Sequence, residues 1–217
     1  MVEKNKYTVL VVGCHPDDVE LGCGGTISRH VRRKDKVIAL TLTNGEKGHH
    51  HPELTELHKS FETLGISYAE FGNIPDGYVQ DDQKTVNMIE QIIEKYEVDR
   101  VYTHFPNDRH QDHRSCSKAV SSAARKVPEI LLYQGPSSDP NFEPHYFIRL
   151  TDEELDKKIR ALDCYQTQIS KGIVDLEWVK SLAGVHSFNA RGFASVPKTR
   201  YAEAFVMNHL IRGGDDV

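Results

Sequence analysis

Short apolar runs alternate with amphipathic segments along most of this 217-residue chain, and this alternation strongly limits the folds that it can adopt. Runs typical of β-strands lie at Tyr7–Val12, Lys36–Leu42, Ser67–Phe71, Arg100–His104, Glu129–Tyr133, Tyr146–Leu150 and Ala202–Met207. Segments with apolar residues at three- and four-residue intervals, which predict helices, lie at Thr26–Arg33, Leu54–Leu64, Val86–Tyr96, Ser115–Arg125, Glu153–Gln168 and Leu176–Ala183. Strands that alternate with helices of this length predict βαβ units, and therefore an α/β fold with a mostly parallel sheet.

Length and composition indicate one globular unit. The chain can bury a single core and shows no shift in composition, so residues 1–217 are predicted to form one domain. Hydrophobic residues make up 38% of the chain and charged residues 27%, the proportions of an ordinary soluble globular protein. The net charge of −5 gives no support for a nucleic-acid partner. The one short basic run, which contains Arg29, Arg32, Arg33 and Lys34, is predicted to be a solvated helix end.

The sequence shows no pattern typical of membrane insertion, export or disulfide bonding. No apolar stretch approaches the roughly 20 residues that span a bilayer. Residues Met1–Lys6 are polar and lead directly into a strand-type run, unlike a signal peptide, so we expect a cytoplasmic protein. The cysteines Cys14, Cys23, Cys116 and Cys164 lack C-x-x-C spacing, which argues against a zinc knuckle and a disulfide framework. We expect Cys14 to be a small packing residue at a strand end.

The segment His15-Pro16-Asp17-Asp18 is the strongest chemical signal in the chain. It directly follows the first strand-type run, and open α/β sheets place their active sites at the carboxyl ends of strands. Because the turn bends at Pro16, His15 and Asp18 can converge on a metal, while Asp17 points elsewhere. Asp17 can then take a proton from a metal-bound water, whose pKa zinc lowers to about 7. Helix capping is the alternative, and it explains one aspartate but not the whole group.

A second cluster, His110-Gln111-Asp112-His113, follows the strand-type run that begins at Arg100. Alone, an H-x-x-H spacing is weak evidence, but here it is expected at the same sheet edge as the first cluster. One histidine would complete a two-histidine, one-carboxylate ligand set with an open coordination position. The other could polarise a carbonyl group or protonate a leaving group, and Asp112 could accept its hydrogen bond and set its tautomer.

Every chemically important residue is predicted to lie in a loop that follows a strand. Three segments that follow strands should crowd one edge of the sheet, namely Gly13–Asp18, Asn44–Pro52 and Phe105–Asp112. Two longer segments, Gly72–Gln83 and Gln134–His145, are rich in Gly, Pro, Asp and Ser and are expected to line or cover the site.

Two further motifs are predicted to have no cofactor or metal. The glycines Gly22, Gly24 and Gly25 do not follow the G-x-G-x-x-G spacing of dinucleotide-binding proteins, and the aspartates before them would repel a pyrophosphate. We expect these glycines to let a helix pack closely on the sheet. The run His49-His50-His51 cannot direct all its side chains to one ion and is predicted to be a mobile rim loop.

The motifs resemble those of the LmbE-like (PIG-L type) family of zinc-dependent deacetylases, over most of the chain. Val11–Thr26 resembles the family's opening strand, metal turn and helix, and Pro106–Arg114 resembles its second metal loop. Thr41–Gly48 is similar to its second-strand loop and Tyr201–Phe205 to its C-terminal strand. The resemblance implies a Rossmann-like three-layer α/β fold, and a homo-oligomer, as in several members.

The resemblance also implies a metal site and a substrate class. In the family the two metal motifs supply the zinc ligands, which implies His15, Asp18 and His113 here. The same ligands would also accept Fe²⁺ or Co²⁺. Members remove an acetyl group from small molecules of the N-acetylglucosamine type, often conjugated to another group, so an amino-sugar substrate is expected.

Catalytic roles are implied for three further residues. The first aspartate of the metal turn is the general base of the family, which implies Asp17. The first histidine of the second motif stabilises or protonates the tetrahedral intermediate, which implies His110 with Asp112 as its orienting partner. Arg191 and Tyr201 are candidate substrate contacts.

One departure and three rival functions leave the substrate open. Many members carry an arginine close before a glutamate after the second strand, whereas His49–Glu56 contains none, which leaves the head group of the substrate undetermined. Hydrolysis of another amide, such as a thiol conjugate, is the nearest alternative. A non-hydrolytic Fe(II) enzyme would need no extra proton acceptor, so Asp17 argues against it. A non-catalytic carbohydrate- or metal-binding protein is the third alternative.

Overall fold

The computed structural model of the protein describes residues 6–45, 52–191 and 199–211. Its strands are β1 (Thr8–Gly13), β2 (Lys36–Thr43), β3 (Tyr68–Ile74), β4 (Arg100–His104), β5 (Glu129–Tyr133), β6 (Tyr146–Leu150) and β7 (Tyr201–Leu210). Its helices are α1 (Asp18–Arg32), α2 (Pro52–Leu64), α3 (Gln83–Tyr96), α4 (Gln111–Ala123), α5 (Asp152–Leu162), α6 (Gln166–Ser170) and α7 (Leu176–Asn189). No helix in these ranges is long and apolar enough to cross a membrane.

Within the described ranges the strands form one seven-stranded sheet in the order β3-β2-β1-β4-β5-β7-β6. The first five strands of the chain pair in parallel, and β7 runs antiparallel to both β5 and β6. The predicted α/β fold with a mostly parallel sheet is therefore confirmed.

Apolar cores on both faces of the sheet make three layers. Val9 and Val11 of β1 belong to a core shared with α1, α2 and α5, while Leu10 and Val12 belong to a core shared with α3 and α4. A strand buried on both faces needs apolar residues at every position, not at alternate ones. This explains the unbroken apolar run of β1 and confirms the three-layer arrangement.

Two helices begin earlier than the sequence pattern predicts. α1 starts at Asp18 rather than at Thr26, and α4 starts at Gln111. As a result Asp18, Asp112 and His113 lie in first helical turns, and the prediction that all chemically important residues lie in loops is wrong. The unpaired amide groups of a first turn favour carboxylates, which is why acidic motifs can begin these helices.

The predicted helix Glu153–Gln168 is wrong as a single element. It divides into α5, which ends at Leu162, and α6, which begins at Gln166. Between them Tyr165 is fully buried, and its hydroxyl group donates a hydrogen bond to Oε1 of Glu20 at 2.8 Å. The chain turns because this aromatic side chain enters the core, a tertiary contact that helical periodicity cannot reveal.

Helix α1 is kinked at Cys23, shortly before Thr26, where the sequence pattern places its start. Cys23 has φ −149° and ψ 24°, which are not helical. Beyond the kink the amides of Gly25 and Thr26 donate to the carboxylate of Glu203 at 3.0 and 2.7 Å. Glu203 also pairs with the buried Lys158 at 2.7 Å, so this ion pair stabilises the second half of the helix.

The glycines of α1 let the helix approach the sheet, as the sequence predicts. A Cβ atom at Gly22 would lie 2.2 Å from Cδ2 of Tyr133, and one at Gly25 would lie 2.4 Å from Cδ1 of Leu150. Real Cβ atoms essentially never come within 3.0 Å of such neighbours. The close approach positions the first turn of α1, and with it Asp18, against the ends of β1 and β5.

We expect Gly22→Ala to lower the free energy of unfolding by about 1–3 kcal/mol, because the added methyl group overpacks the contact with Tyr133. Gly184→Ala in α7 is the matched control, since a Cβ there meets nothing within 4 Å. That control should be neutral or stabilising by up to about 1 kcal/mol. Urea unfolding of both variants measures the difference, and equal stabilities would contradict the packing argument.

Candidate active site

The ends of two neighbouring strands bring the two sequence clusters together. β1 and β4 pair in parallel, so the residues that follow them meet at one edge of the sheet. His15 and Asp18 follow β1, and His110 and His113 follow β4. All four side chains line one cavity of about 290 Å³.

Three of these side chains are spaced like the ligands of one metal ion. Nδ1 of His15 lies 3.3 Å from Oδ2 of Asp18 and 3.3 Å from Nε2 of His113. Nε2 of His113 lies 3.3 Å from Oδ1 of Asp18. Nitrogen and oxygen ligands about 2.0–2.1 Å from a tetrahedral zinc ion are roughly 3.3 Å apart, so the arrangement fits such an ion with one position left open.

Asp18 is the centre of this group. Its Oδ2 accepts hydrogen bonds from the amides of Cys14 and His15 at 3.0 and 2.7 Å. Burial opposes ionisation, but the charges of His113 and His104 hold the pKa of Asp18 well below its usual range. The Asp18 carboxylate is therefore ionised at neutral pH and held in place by these contacts.

A carboxylate that the sequence pattern did not single out orients His113. Oδ1 of Asp108 lies 3.2 Å from Nδ1 of His113 and accepts hydrogen bonds from Ser137 Oγ and the amide of His110 at 2.6 and 2.8 Å. Burial alone would lower the pKa of His113, but Asp18 and Asp108 raise it to about 10. A carboxylate on the far nitrogen of a metal-binding histidine directs the other nitrogen toward the metal.

His15 has the same kind of support from two carboxylates. Its Nε2 lies 3.2 Å from Oδ1 of Asp76 and 3.4 Å from Oδ2 of Asp112. Burial alone would lower the pKa of His15, but Asp112, Asp18 and Asp76 together raise it to about 12. Three carboxylates therefore stabilise the positive charge of this imidazole.

The carboxylate of Asp112 is not placed where the sequence argument expected it. Its Oδ2 accepts a hydrogen bond from the amide of Gly77 at 2.7 Å and faces His15, not His110. The contact between Asp112 and His110 runs through the backbone, because the amide of Asp112 donates to Nδ1 of His110 at 3.2 Å. His110 is thus held as the N-cap of α4.

Asp17 and His110 lie beside the three-residue group, at the cavity surface. Asp17 has φ 95°, in the left-handed region, and its side chain makes no capping hydrogen bond. Such strain in a non-glycine residue is often found at functional sites. Burial, together with the charges of Asp18 and Glu20, raises the pKa of Asp17 well above its usual range. Burial, then the charges of His113 and His15, lower the pKa of His110.

His104 also belongs to the site, although the sequence pattern marked it only as the end of a strand. Its Nε2 lies 3.3 Å from Oδ2 of Asp18, and its ring stacks on that of His113 with centroids 4.0 Å apart. Burial and the charge of His113 lower the pKa of His104 to about 4. Its position at the carboxyl end of a central strand is the one signal that could have identified it.

The two long segments predicted to line the site, Gly72–Gln83 and Gln134–His145, both contribute residues to the cavity. Asp76 comes from the segment after β3, and Pro136 and Ser137 come from the segment after β5. The cavity is also lined by Gln168, Lys171 and Ile173, at the end of α6 and just beyond it. The predicted rim loop His49-His50-His51 lies outside the described residues.

The structure does not bring the two expected substrate contacts into the cavity. Arg191 donates a hydrogen bond to the carbonyl group of Thr199 at 3.2 Å, and the ring of Tyr201 lies 5.4 Å from the guanidinium carbon of Arg200. Neither residue is among those that line the described cavity. Their role in substrate binding stays a prediction.

A family model and two relatives that match this chain are all described as deacetylases. Residues 10–124, which contain both clusters, match the family model described as "PIG-L: GlcNAc-PI de-N-acetylase". The chain is 32% identical to "Uncharacterized deacetylase YaiS" of Escherichia coli K12, over 71% of this chain and 88% of that protein. It is 25% identical to the diacetylchitobiose deacetylase of Thermococcus kodakarensis, over 90% of this chain and 80% of that one.

A solved structure agrees with the sequence matches. The conserved protein TT1542 of Thermus thermophilus superposes with a TM-score of 0.80 at 26% identity, covering 97% of this chain and 99% of that one. The match therefore includes every layer of the fold as well as the motifs. On these grounds the chain belongs to the PIG-L (LmbE-like) deacetylase family.

Proposed function

We propose that this protein is a metal-dependent N-deacetylase. It would hydrolyse the acetamido group of an N-acetylglucosamine-type sugar, free or conjugated, to acetate and an amine. The observation that carries the proposal is one cavity of about 290 Å³ that holds both the metal-spaced group and Asp17, which is strained and makes no capping hydrogen bond. Relatives named as deacetylases of diacetylchitobiose and of an inositol-linked acetamido sugar support the substrate class.

His15, Asp18 and His113 would hold the metal, for which we propose Zn²⁺; Fe²⁺ and Co²⁺ would fit the same donors. A divalent cation held there supplies a Lewis acid and lowers the pKa of a water molecule to about 7. The rings of His15 and His113 would be oriented by carboxylates at their far nitrogens: Asp76 and Asp112 at His15, and Asp108 at His113.

Proton transfer falls to the residues at the cavity surface. Asp17 accepts the proton of the attacking water as its oxygen adds to the acetamide carbon. Its raised pKa suits this role, because a carboxylate that binds a proton more tightly is a stronger base. Protonated Asp17 then delivers that proton to the nitrogen, directly or by way of His110, the carbon–nitrogen bond breaks, and acetate and the amine leave.

His110→Ala should keep its metal and its substrate affinity but turn over about 10²–10⁴-fold more slowly. A group that acts only in the transition state lowers kcat and kcat/KM together and leaves KM little changed. Steady-state kinetics together with elemental analysis of the purified variant measure both quantities. A metal-free His110→Ala protein would make His110 a ligand instead.

Asp112→Asn should differ from His110→Ala, because the Asp112 carboxylate contacts His15. We expect metal affinity to fall about 10–100-fold, as when a carboxylate behind a metal-binding histidine is lost. Turnover at saturating metal should recover most of the wild-type value. A persistent loss of kcat with unchanged metal affinity would return Asp112 to the role of partner to His110.

The substrate class is tested by acetate release from a panel of N-acetylated amino sugars, free and linked to polyols, carboxylic acids, lipids or a second sugar. Asp17→Asn is the control for contaminating activity. Release from an acetylated thiol conjugate alone would favour the amidase alternative. The predicted homo-oligomer is checked separately by light scattering.

A further inference from the structure

A second group of side chains that could hold a metal ion adjoins the candidate active site. Cys14 follows β1, His104 ends β4 and Cys116 lies in α4. One ligand atom from each of the three lies within 4.8 Å of the others, and all three residues are buried. The proposed reaction uses neither sulfur atom.

One nitrogen of this group lacks a hydrogen-bond partner. Nδ1 of His104 is buried without a hydrogen-bond partner among the residues that the structure describes. The thiols of Cys14 and Cys116 are not in a disulfide; they hydrogen-bond to each other, and Cys116 has a weak contact at 3.6 Å with Oγ1 of Thr103. A buried polar atom with no partner is costly, and such atoms in native proteins often indicate an unseen ion or water.

We propose that Cys14, His104 and Cys116 form an internal site for a soft, thiophilic cation such as Cd²⁺, Cu⁺ or Zn²⁺. Two sulfurs and one imidazole nitrogen select soft cations over hard ones. Sulfur atoms about 2.3 Å from a tetrahedral cation lie roughly 3.8 Å apart, within the spread of this group. When a divalent cation binds, two S–H bonds break, two metal–sulfur bonds form and two protons pass to solvent.

The site adjoins the candidate catalytic group but differs from it in chemistry. The amide of Cys14 and Nε2 of His104 both contact Oδ2 of Asp18, at 3.0 and 3.3 Å. The catalytic group itself contains only nitrogen and oxygen donors. A cation bound by the two thiolates therefore has a sulfur-to-metal absorption that a cation bound by His15, Asp18 and His113 cannot have.

The test is a Cd²⁺ titration of the zinc-loaded protein, with ultraviolet absorption, proton release and bound cadmium measured together. Wild type should bind one Cd²⁺ per chain with a sulfur-to-cadmium band and release two protons. Cys116→Ala should lose the band, and Cys14→Ala should do the same if the first variant folds poorly. Cys23→Ala, which also removes a buried cysteine, and Cys164→Ala are the controls and should keep it.

Loss or survival of the sulfur-to-cadmium band is interpreted only in variants that are folded. Thermal unfolding followed by circular dichroism shows which variants are folded at the titration temperature. A band that survives in folded Cys116→Ala, or one that disappears in Cys23→Ala, would overturn the proposal. Cadmium uptake without any sulfur band would do so as well, because the ion would then occupy the nitrogen and oxygen donors.

Discussion

Asp17→Asn is expected to keep its metal and to lose about 10²–10⁴-fold in turnover. Asp17 makes none of the 3.3 Å contacts that join His15, Asp18 and His113, so its carboxylate is not needed to hold an ion. An asparagine has nearly the same shape but cannot accept the proton of the attacking water. Elemental analysis and kcat, measured on the same preparation, separate the two effects.

Asp18→Asn is the matched control for this variant. It makes the same chemical change one residue later, at a side chain whose oxygens face both His15 and His113. We expect this variant to lose metal first and activity as a consequence. If Asp17→Asn loses metal as readily as Asp18→Asn does, the roles of the two carboxylates are reversed.

His113→Ala is expected to purify largely free of metal and to be inactive. Its Nε2 is 3.3 Å from both Nδ1 of His15 and Oδ1 of Asp18, and Asp108 contacts its other ring nitrogen, so the substitution removes one of the three proposed ligands. His104 stacks on His113 but already shares its Nε2 with Asp18 and the amide of Cys14.

His186→Ala in α7 is the control for loss of a buried histidine. His186 is buried like His113 but lies in a different cavity, beside Lys158 and Glu203. Elemental analysis of both variants at matched protein concentration should show metal in His186→Ala and little in His113→Ala. Full occupancy in His113→Ala would move the metal site elsewhere.

Much of the fold follows from local patterns along the chain. The apolar run of β1 indicates a strand buried on both faces, and its neighbours in the sheet follow from the alternation of strands and helices. The break at Tyr165 could not be predicted in this way, because the helical periodicity continues through it. It depends on a hydrogen bond to Glu20, which is far away in the sequence.

The sequence likewise predicts some features of the candidate site and not others. Spacing alone suggests that His15 and Asp18 converge, because both lie in one turn. It does not reveal the partner of Asp112, whose carboxylate is turned away from His110 by the amide of Gly77. It also gives no sign that Cys14 and Cys116 meet, since two different elements carry them to one point.

Metal-dependent deacetylation is tested by measuring acetate and free amine from one reaction, with the substrate of the acetamido-sugar panel that reacts fastest. Metal-loaded, chelated and zinc-restored protein are compared. We expect equal amounts of acetate and amine from the loaded protein, none after the metal is removed, and recovery when zinc is returned. Acetate release that persists in protein shown to be metal-free, or no release from any panel member by the fully loaded protein, would contradict this expectation.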